Sequence, residues 1–381
     1  MANLFDYIDW RGDLPFSVSP LNEVDCLIFS WLVYAPVDGL VPGEFGKSVT
    51  IRELSRSFLA THDLKKILKN SACFTRTSAL ALKKCGESAR YGDLKVSAFI
   101  NGVDYGSEMQ FAAMTVDLGG TFIVAFRGTD DTLIGWKEDF NMCFKGEIPA
   151  QAKAKEYLEA AARAVRGHIV TCGHSKGGNL AVYSACKVSK RTRNRIDSVF
   201  NFDGPGFGEL TDLGEGKNEI FQKTRTFVPE QSIVGMLLDH DENYTVVSSD
   251  GQFIFQHDAG TWQVIGPHFV TVESIDPYSE ALDTTIRNWI KELDDEERET
   301  FVNALFGVML ATSSRTLEEI NSDILSFASE TIKNYNGLPK ETKAMLKKIV
   351  SLFIKQGTET IKRRKKQLPS ENRLKLTQQS Q

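Results

Sequence analysis

The pentapeptide Gly173-His174-Ser175-Lys176-Gly177 constrains the fold of this chain more than any other segment. A short apolar run precedes it at 169–172, and a stretch of small residues with helical character follows it at 178–185. A strand that turns this abruptly into a helix holds the middle residue at the apex of the turn. The flanking glycines indicate that the turn packs against its own helix, where a Cβ atom has no room. We therefore predict a sharp strand–turn–helix unit with Ser175 at its apex.

Apolar and helical segments alternate around this unit, which is typical of βαβ units and a mainly parallel sheet. Strands are predicted at 168–172, 196–202 and 223–228, and helices at 151–165 and directly after Ser175. The sequence therefore predicts an α/β fold with a mixed, mainly parallel central sheet.

An antiparallel meander is predicted to open this sheet, because alternating segments flank an Asn101-Gly102 pair, a strong hairpin signal. Its strands are predicted at 95–100, 110–116 and 121–126. Further β-like segments at 244–247, 253–255 and 262–265 predict a sheet that is mixed at both edges.

Four segments are predicted along the chain. Residues 1–93 are expected to form a helical segment packed on the core, and residues 94–275 to form the α/β core itself. Residues 276–361 are predicted to be a helical extension, since Asp276-Pro277 and a capping box at Thr316 to Glu319 are typical helix starts. This extension is expected to pack on the body or on itself rather than to bind a partner. The basic segment 362–381 is predicted to be a disordered tail.

Composition excludes several classes of protein. The 381 residues include 41% hydrophobic and 25% charged ones, as in ordinary globular proteins. No apolar run approaches the ~18 residues of a membrane-spanning helix, and the acidic start, Met1 to Asp6, differs from a secretory signal. The six cysteines lack C-x-x-C spacing, which predicts reduced thiols, no metal site and no cofactor. We therefore expect a cytoplasmic protein.

Ser175 is the candidate nucleophile, but a serine hydroxyl needs a base and a group that orients the base. Of six histidines, His257 is the candidate base because it follows a predicted strand late in the chain. Asp203 is the candidate acid because it ends the strand beside that of Ser175, although a turn-capping role explains it equally well. Other candidate acids are Glu230, Asp239 and Asp258.

Two backbone amides are predicted to stabilise a developing oxyanion. The amide of Lys176 lies directly after the serine at a helix N-terminus, where the helix dipole favours negative charge. Thr129 follows a strand end and a glycine in Phe126-Arg127-Gly128-Thr129, which predicts the second donor.

These motifs together resemble those of the class 3 lipases, an α/β-hydrolase family. The shared residues are Phe126-Arg127-Gly128-Thr129, Trp136, Asp139 and Gly173 to Gly178, in that order, within 94–266. With its N-terminal segment, the chain more closely resembles a bacterial lipase-like group known as domain of unknown function family 2974. The resemblance implies an α/β-hydrolase fold.

The chain departs from that pattern at two positions. Ser232 stands where those lipases have the aspartate of an Asp-Ile-Val-Pro segment, so either the acid has moved to Asp203 or the triad is incomplete. Lys176 replaces the usual leucine after the serine. Its ammonium is expected either to attract an anionic substrate or to pair with a nearby Asp, and we favour the pair.

We therefore expect a serine hydrolase that cleaves a small-molecule or lipid carboxylic ester or thioester. The alternative is a catalytically weak or inactive hydrolase scaffold that acts as a binding module. Nucleic acid is not expected as a partner, whereas peripheral membrane contact through the basic tail is allowed. The sequence leaves the oligomeric state open.

Overall fold

An eight-stranded sheet forms the centre of the molecule. The computed structural model describes residues 1–352 apart from 72, 131, 239, 241, 315, 317–318, 320–322 and 350. The sheet strands, each beside the next along the chain, are Val49–Thr50 (β1), Lys95–Asp104 (β2), Met109–Asp117 (β3), Thr121–Phe126 (β4), His168–His174 (β5), Ile196–Phe202 (β6), Thr224–Pro229 (β7) and Tyr244–Val247 (β8).

The first four strands pair antiparallel and the strands from β4 to β8 pair parallel. This arrangement confirms the predicted α/β-hydrolase fold with its mixed, mainly parallel sheet. At the other edge β8 pairs parallel to β7, and an antiparallel bridge joins Val247 of β8 to Thr271, so both edges include antiparallel pairing as expected. A separate antiparallel pair joins Val264–Ile265 (β9) to His268–Phe269 (β10).

Helices cover the sheet and extend the chain beyond it. They are Leu4–Arg11 (α1), Glu23–Leu32 (α2), Ile51–Thr61 (α3), Leu64–Asn70 (α4), Cys73–Glu87 (α5), Leu133–Asn141 (α6), Pro149–Ala164 (α7), Lys176–Lys187 (α8), Lys190–Arg193 (α9), Lys217–Lys223 (α10), Pro277–Lys291 (α11), Asp295–Leu310 (α12) and Ile324–Gly337 (α13). Residues 340–349 are also helical, and short 3-10 helices occur at Gly214–Gly216, Phe253–His257 and Ala259–Thr261.

Two helical layers enclose the sheet. On one face, every residue of α2 is buried, and the helix packs against β4, β5 and β6. A helix that is buried all round suits the interior of a domain, and α2 is apolar enough for that position. On the other face, α7 and α8 pack together over β3 to β6. The N-terminal segment therefore supplies part of the central core.

The C-terminal helices form an apolar cluster of their own beside α6. Phe306 of α12 packs against Phe140 of α6, with ring centroids 5.5 Å apart. The same cluster contains Phe144, Leu293, Phe301, Val302, Leu346 and Ile349. Packing of the extension on the body was one of the two arrangements expected. The segment boundaries remain predictions, and the tail at 362–381 lies outside the described residues.

Two local predictions are wrong. β2 continues through Asn101-Gly102, where Asn101 bonds Asp38 and Arg127, and the hairpin turns later. Asp104 fixes that turn by accepting hydrogen bonds from the amides of Gly106 and Ser107. The segment 253–255, expected to be β-like, belongs to a 3-10 helix.

None of the helices in the described part of the chain combines the length and apolar character needed to cross a membrane.

A buried ion pair ties α2 to the start of the sheet. Asp25 and Arg90 have fully buried side chains, and Arg90 donates through Nε and Nη2 to the two carboxylate oxygens at 2.8 and 2.5 Å. The Tyr91 hydroxyl donates to the same carboxylate at 2.6 Å. Removing one partner of a buried pair is costly because the remaining charge loses its compensation.

We expect Arg90→Met to lower the free energy of unfolding by about 3–5 kcal/mol, because it leaves Asp25 buried without its cation. Urea unfolding followed by circular dichroism measures this loss. The control is Lys153→Met, which removes an exposed pair with Glu156 and is expected to cost about 0–1 kcal/mol. Equal losses in the two variants would contradict a central structural role for α2.

Candidate active site

Ser175 lies at a tight turn between β5 and α8, with φ 58° and ψ −137°. Residues other than glycine rarely adopt a positive φ, so this backbone is strained and needs support from its surroundings. The flanking glycines give that support. A Cβ at Gly173 would lie 2.1 Å from the carbonyl carbon of Gly177, and a Cβ at Gly177 would lie 2.2 Å from the carbonyl oxygen of Phe126. Only glycine at both positions lets the turn close.

His257 lies directly beside this serine. Its Nε2 is 3.0 Å from Ser175 Oγ, and its Nδ1 is 2.6 Å from Asp203 Oδ2. Because a carboxylate only accepts hydrogen bonds, Nδ1 carries the proton and Nε2 presents its lone pair to the hydroxyl. The structure thus brings together Ser175, His257 and Asp203 in one chain of hydrogen bonds. His257 is the last residue of a 3-10 helix, whereas the sequence predicted that it follows a strand.

Asp203 follows β6 and is fully buried, with a positive φ of 51°. Its Oδ2 faces His257, while its Oδ1 accepts hydrogen bonds from Ser232 Oγ at 2.5 Å and from the amide of Gly235 at 3.1 Å. Ser232, the residue in the acid position of the resembling lipases, therefore contacts the carboxylate that faces His257. Both oxygens of Asp203 are held by donors outside its own turn.

The other candidate acids lie elsewhere or are not described. The carboxylate of Asp258 accepts the amide of Gly260 at 2.9 Å in the turn after His257. The backbone amide of Glu230 donates a hydrogen bond to the carbonyl oxygen of Val247 in β8. Asp239 lies outside the described residues. Of the remaining histidines, His168 and His268 pair with Asp197 and Glu23, away from the serine.

The loop after β4 contacts the turn at Ser175. A Cβ at Gly128 would lie 2.8 Å from Ser175 Cβ, so Thr129 follows the point of closest approach. In the described part of the chain, no backbone or side-chain acceptor bonds the amides of Thr129 and Lys176. The amide of Lys176 opens α8, and the first amides of a helix have no intrahelical acceptor. Both predicted oxyanion donors therefore remain available near the serine.

The Lys176 side chain is 1% exposed and points away from solvent. Its Nζ lies 2.8 Å from Glu138 Oε2 and 3.6 Å from Asp139 Oδ1, so the expected ion pair forms with two acids of α6. Burial alone would lower the pKa of Lys176, but the attraction of Glu138 and Asp139 raises it above its usual value. The ammonium is therefore unavailable to attract an anionic substrate.

Sequence reasoning missed two buried residues that contact this site. The His174 ring lies 4.6 Å from the His257 ring, and its Nε2 donates to the His257 carbonyl oxygen at 2.8 Å. Its Nδ1 accepts from the Tyr34 hydroxyl at 3.1 Å, and that hydroxyl accepts the amide of Gly128 at 3.0 Å. Burial and the charge of His257 lower the pKa of His174 well below its usual value, so the ring is neutral.

Tyr34 therefore connects the loop before Thr129 with the segment that carries His257. No motif marks Tyr34, because it reaches the site only after α2 enters the core.

No cluster of three His, Cys, Asp or Glu side chains suited to a metal ion occurs in the described residues.

Comparisons with solved structures give distant matches. The crystal structure of M37 lipase has a TM-score of 0.35 and 16% identity over 57% of this chain and 69% of that one. A deletion mutant of a Rhizomucor miehei lipase propeptide complex has a TM-score of 0.34 and 15% identity over 64% of this chain and 85% of that one. No curated protein sequence matches the chain.

A family comparison covers more than half of the chain. The model of the family described as Mbeg1-like matches residues 85–307, which include β2 to β10 and all the candidate site residues. The closer resemblance to domain of unknown function family 2974 remains a prediction. The chain belongs to the Mbeg1-like family.

Proposed function

We propose that this chain is a lipase-like serine hydrolase that cleaves a carboxylic ester or thioester through an acyl-enzyme on Ser175. The observation that carries the proposal is the chain of hydrogen bonds from Ser175 Oγ through His257 to Asp203, at 3.0 and 2.6 Å. A hydroxyl, an imidazole and a buried carboxylate in this order form the arrangement that activates a serine. The ordered motifs shared with class 3 lipases also support it.

In the first step, His257 Nε2 takes the proton of Ser175 as Oγ attacks the carbonyl carbon of the substrate. Asp203 accepts the Nδ1 proton in a hydrogen bond, orients the ring and stabilises the imidazolium that forms. The carbonyl oxygen becomes an oxyanion, and the amides of Thr129 and Lys176 donate to it. When the tetrahedral intermediate collapses, the imidazolium protonates the leaving alkoxide or thiolate, and the acyl group remains on Ser175.

In the second step, water attacks the acyl-enzyme while His257 takes its proton. The new intermediate collapses, Ser175 regains its proton from the ring, and the carboxylic acid leaves. Ser232 Oγ and the amide of Gly235 donate hydrogen bonds to the other oxygen of Asp203 and so hold the carboxylate in place. In this proposal, the aspartate after β6 supplies the acid, and Ser232 binds it from the position after β7.

Ser175 is expected to react with a fluorophosphonate probe, because only an activated serine attacks the phosphorus. Intact-protein mass spectrometry of the full chain should show one adduct, which Ser175→Ala abolishes. Ser184→Ala is the control, since Ser184 is a buried serine of α8 whose hydroxyl donates to the carbonyl oxygen of Ala181. Absence of the adduct from the wild-type chain would favour the inactive-scaffold alternative.

Asp203→Asn is expected to lower the labelling rate by roughly 10⁴-fold, because an amide cannot hold His257 in the required tautomer. Asp258→Asn is the matched control: it changes the carboxylate of the residue directly after His257, which accepts a hydrogen bond from the amide of Gly260, and is expected to alter the rate by less than about tenfold. Stopped labelling reactions resolved by mass spectrometry give both rates. A larger loss in Asp258→Asn than in Asp203→Asn would show that the acid is assigned to the wrong residue.

Tyr34→Phe is expected to lower the labelling rate by about tenfold or more, because the Gly128 loop and His174 lose their common partner. Tyr157→Phe is the control: this buried hydroxyl bonds Ala98 O and Thr115, away from Ser175. Both variants should lose about 1–3 kcal/mol of stability. A rate loss shared equally by the two would point to general destabilisation instead.

A further inference from the structure

The side chain of Lys176 has no part in the proposed chemistry, although its residue follows the candidate nucleophile directly. It is fully buried and extends from the start of α8 to α6 and β3. A buried lysine carries a large desolvation cost that its partners must offset. The groups that contact the Lys176 ammonium are therefore the ones that it stabilises in return.

The first partner is a fixed anion. Glu138 is 0% exposed, and its Oε2 accepts from Lys176 Nζ at 2.8 Å and from the amide of Gln110 at 3.0 Å. Its Oε1 accepts the amide of Ala150 at 2.9 Å. The carbonyl oxygen of Gln110 also accepts from Lys176 Nζ, at 3.1 Å. Backbone of β3 and α7 thus holds both the anion and the cation in place.

The second partner connects the cation to the loop after β4. Asp139 Oδ1 lies 3.6 Å from Lys176 Nζ, and its Oδ2 accepts the hydroxyl of Thr129 at 2.5 Å. Thr129 is the proposed oxyanion donor that does not belong to α8. A carboxylate that accepts a hydrogen bond from the Thr129 hydroxyl restrains the side-chain rotation of Thr129. It thereby also restrains the position of the Thr129 amide.

The charge of Asp139 depends on neighbours of opposite sign. Burial raises the pKa of Asp139 to about 6, Lys176 and the Thr129 hydroxyl oppose this rise, and Glu138 adds to it. The Tyr34 hydroxyl and the Cys143 thiol also lie near this carboxylate, and burial raises the pKa of both. Arg127 and Asp130, which flank Thr129 in the same loop, pair with each other at 3.0 Å. Lys176 is therefore the cation that keeps Asp139 ionised near neutral pH.

We propose that Lys176 is a positioning residue for the oxyanion loop: held by Glu138, its ammonium keeps Asp139 as the anionic acceptor that fixes Thr129 beside Ser175. The inference rests on the proposed function and adds a role for a charge that the reaction itself does not use. It explains why a cation occupies the position after the serine without being accessible to substrate.

The test measures fluorophosphonate labelling of the full chain between pH 5 and 9. Lys176→Met keeps the length of the side chain but removes its charge. We expect the maximal labelling rate constant to fall by about 10–100-fold, because a small displacement of an oxyanion donor has an effect of this size. The concentration of probe at half-saturation should stay unchanged.

The pH profile separates positioning from general destabilisation. Loss of the cation raises the pKa of Asp139, so the midpoint of the acid-side decline should move to higher pH in Lys176→Met. Adding Glu138→Gln removes an anion that acts in the opposite direction, so the double variant should move the midpoint back towards the wild-type value. Because both charges of the Lys176–Glu138 pair are removed, the double variant leaves neither of them buried without its partner.

Lys137→Met is the matched control. Lys137 is a largely buried lysine on α6, the helix of Glu138 and Asp139, and its partner is Glu108 at 2.6 Å rather than Asp139. It should leave both the rate and the midpoint unchanged.

A wild-type rate and profile in Lys176→Met would overturn the inference, as would an equal loss at every pH. If Lys176→Met does not fold, the double variant decides: Lys176 affects the pKa of Asp139 more than Glu138 does, so the midpoint of the double variant should remain above the wild-type value, and a wild-type midpoint in it would overturn the inference. These outcomes differ from failure of the proposed function, in which the wild-type chain itself does not react at Ser175.

Discussion

The contact between Gly177 and the carbonyl oxygen of Phe126 sets the geometry around Ser175. With no side chain at Gly177, the first turn of α8 lies directly against the end of β4. This close approach brings the start of a helix and the loop after a neighbouring strand to the same point. The amides of Lys176 and Thr129 are close to Ser175 for that reason, and the positive φ of the serine is a consequence of the same packing.

Parallel pairing of β4 to β8 brings the remaining groups to this edge of the sheet. Asp203 follows β6, and Ser232 follows β7, so two neighbouring strand ends meet at one carboxylate. The contact between the two side chains shows that the positions after β6 and β7 are close enough to serve the same imidazole. An aspartate at either strand end can therefore reach this region, which accounts for the position in the sequence of the proposed acid, Asp203.

The sequence predicts those parts of the site whose signals are local. The glycines around Ser175 predict the turn because steric exclusion acts between near neighbours, and Asp203 follows from the end of a strongly apolar strand. His257 was identified from its order in the chain, but its expected strand is a 3-10 helix. The Asn101-Gly102 signal failed because side-chain contacts with Asp38 and Arg127 keep β2 extended. Tyr34 could not be predicted, since its role depends on tertiary packing of α2.

The burial of α2 limits how the molecule can be divided. The region matched by the family begins at residue 85, whereas α2 spans Glu23–Leu32 and fills one face of the sheet. An excised fragment limited to residues 85–307 would expose the apolar side of β4 to β6 to water and would lack Tyr34. Sequence similarity therefore marks the region that contains the candidate site, whereas the packed core is larger and includes a helix remote in sequence.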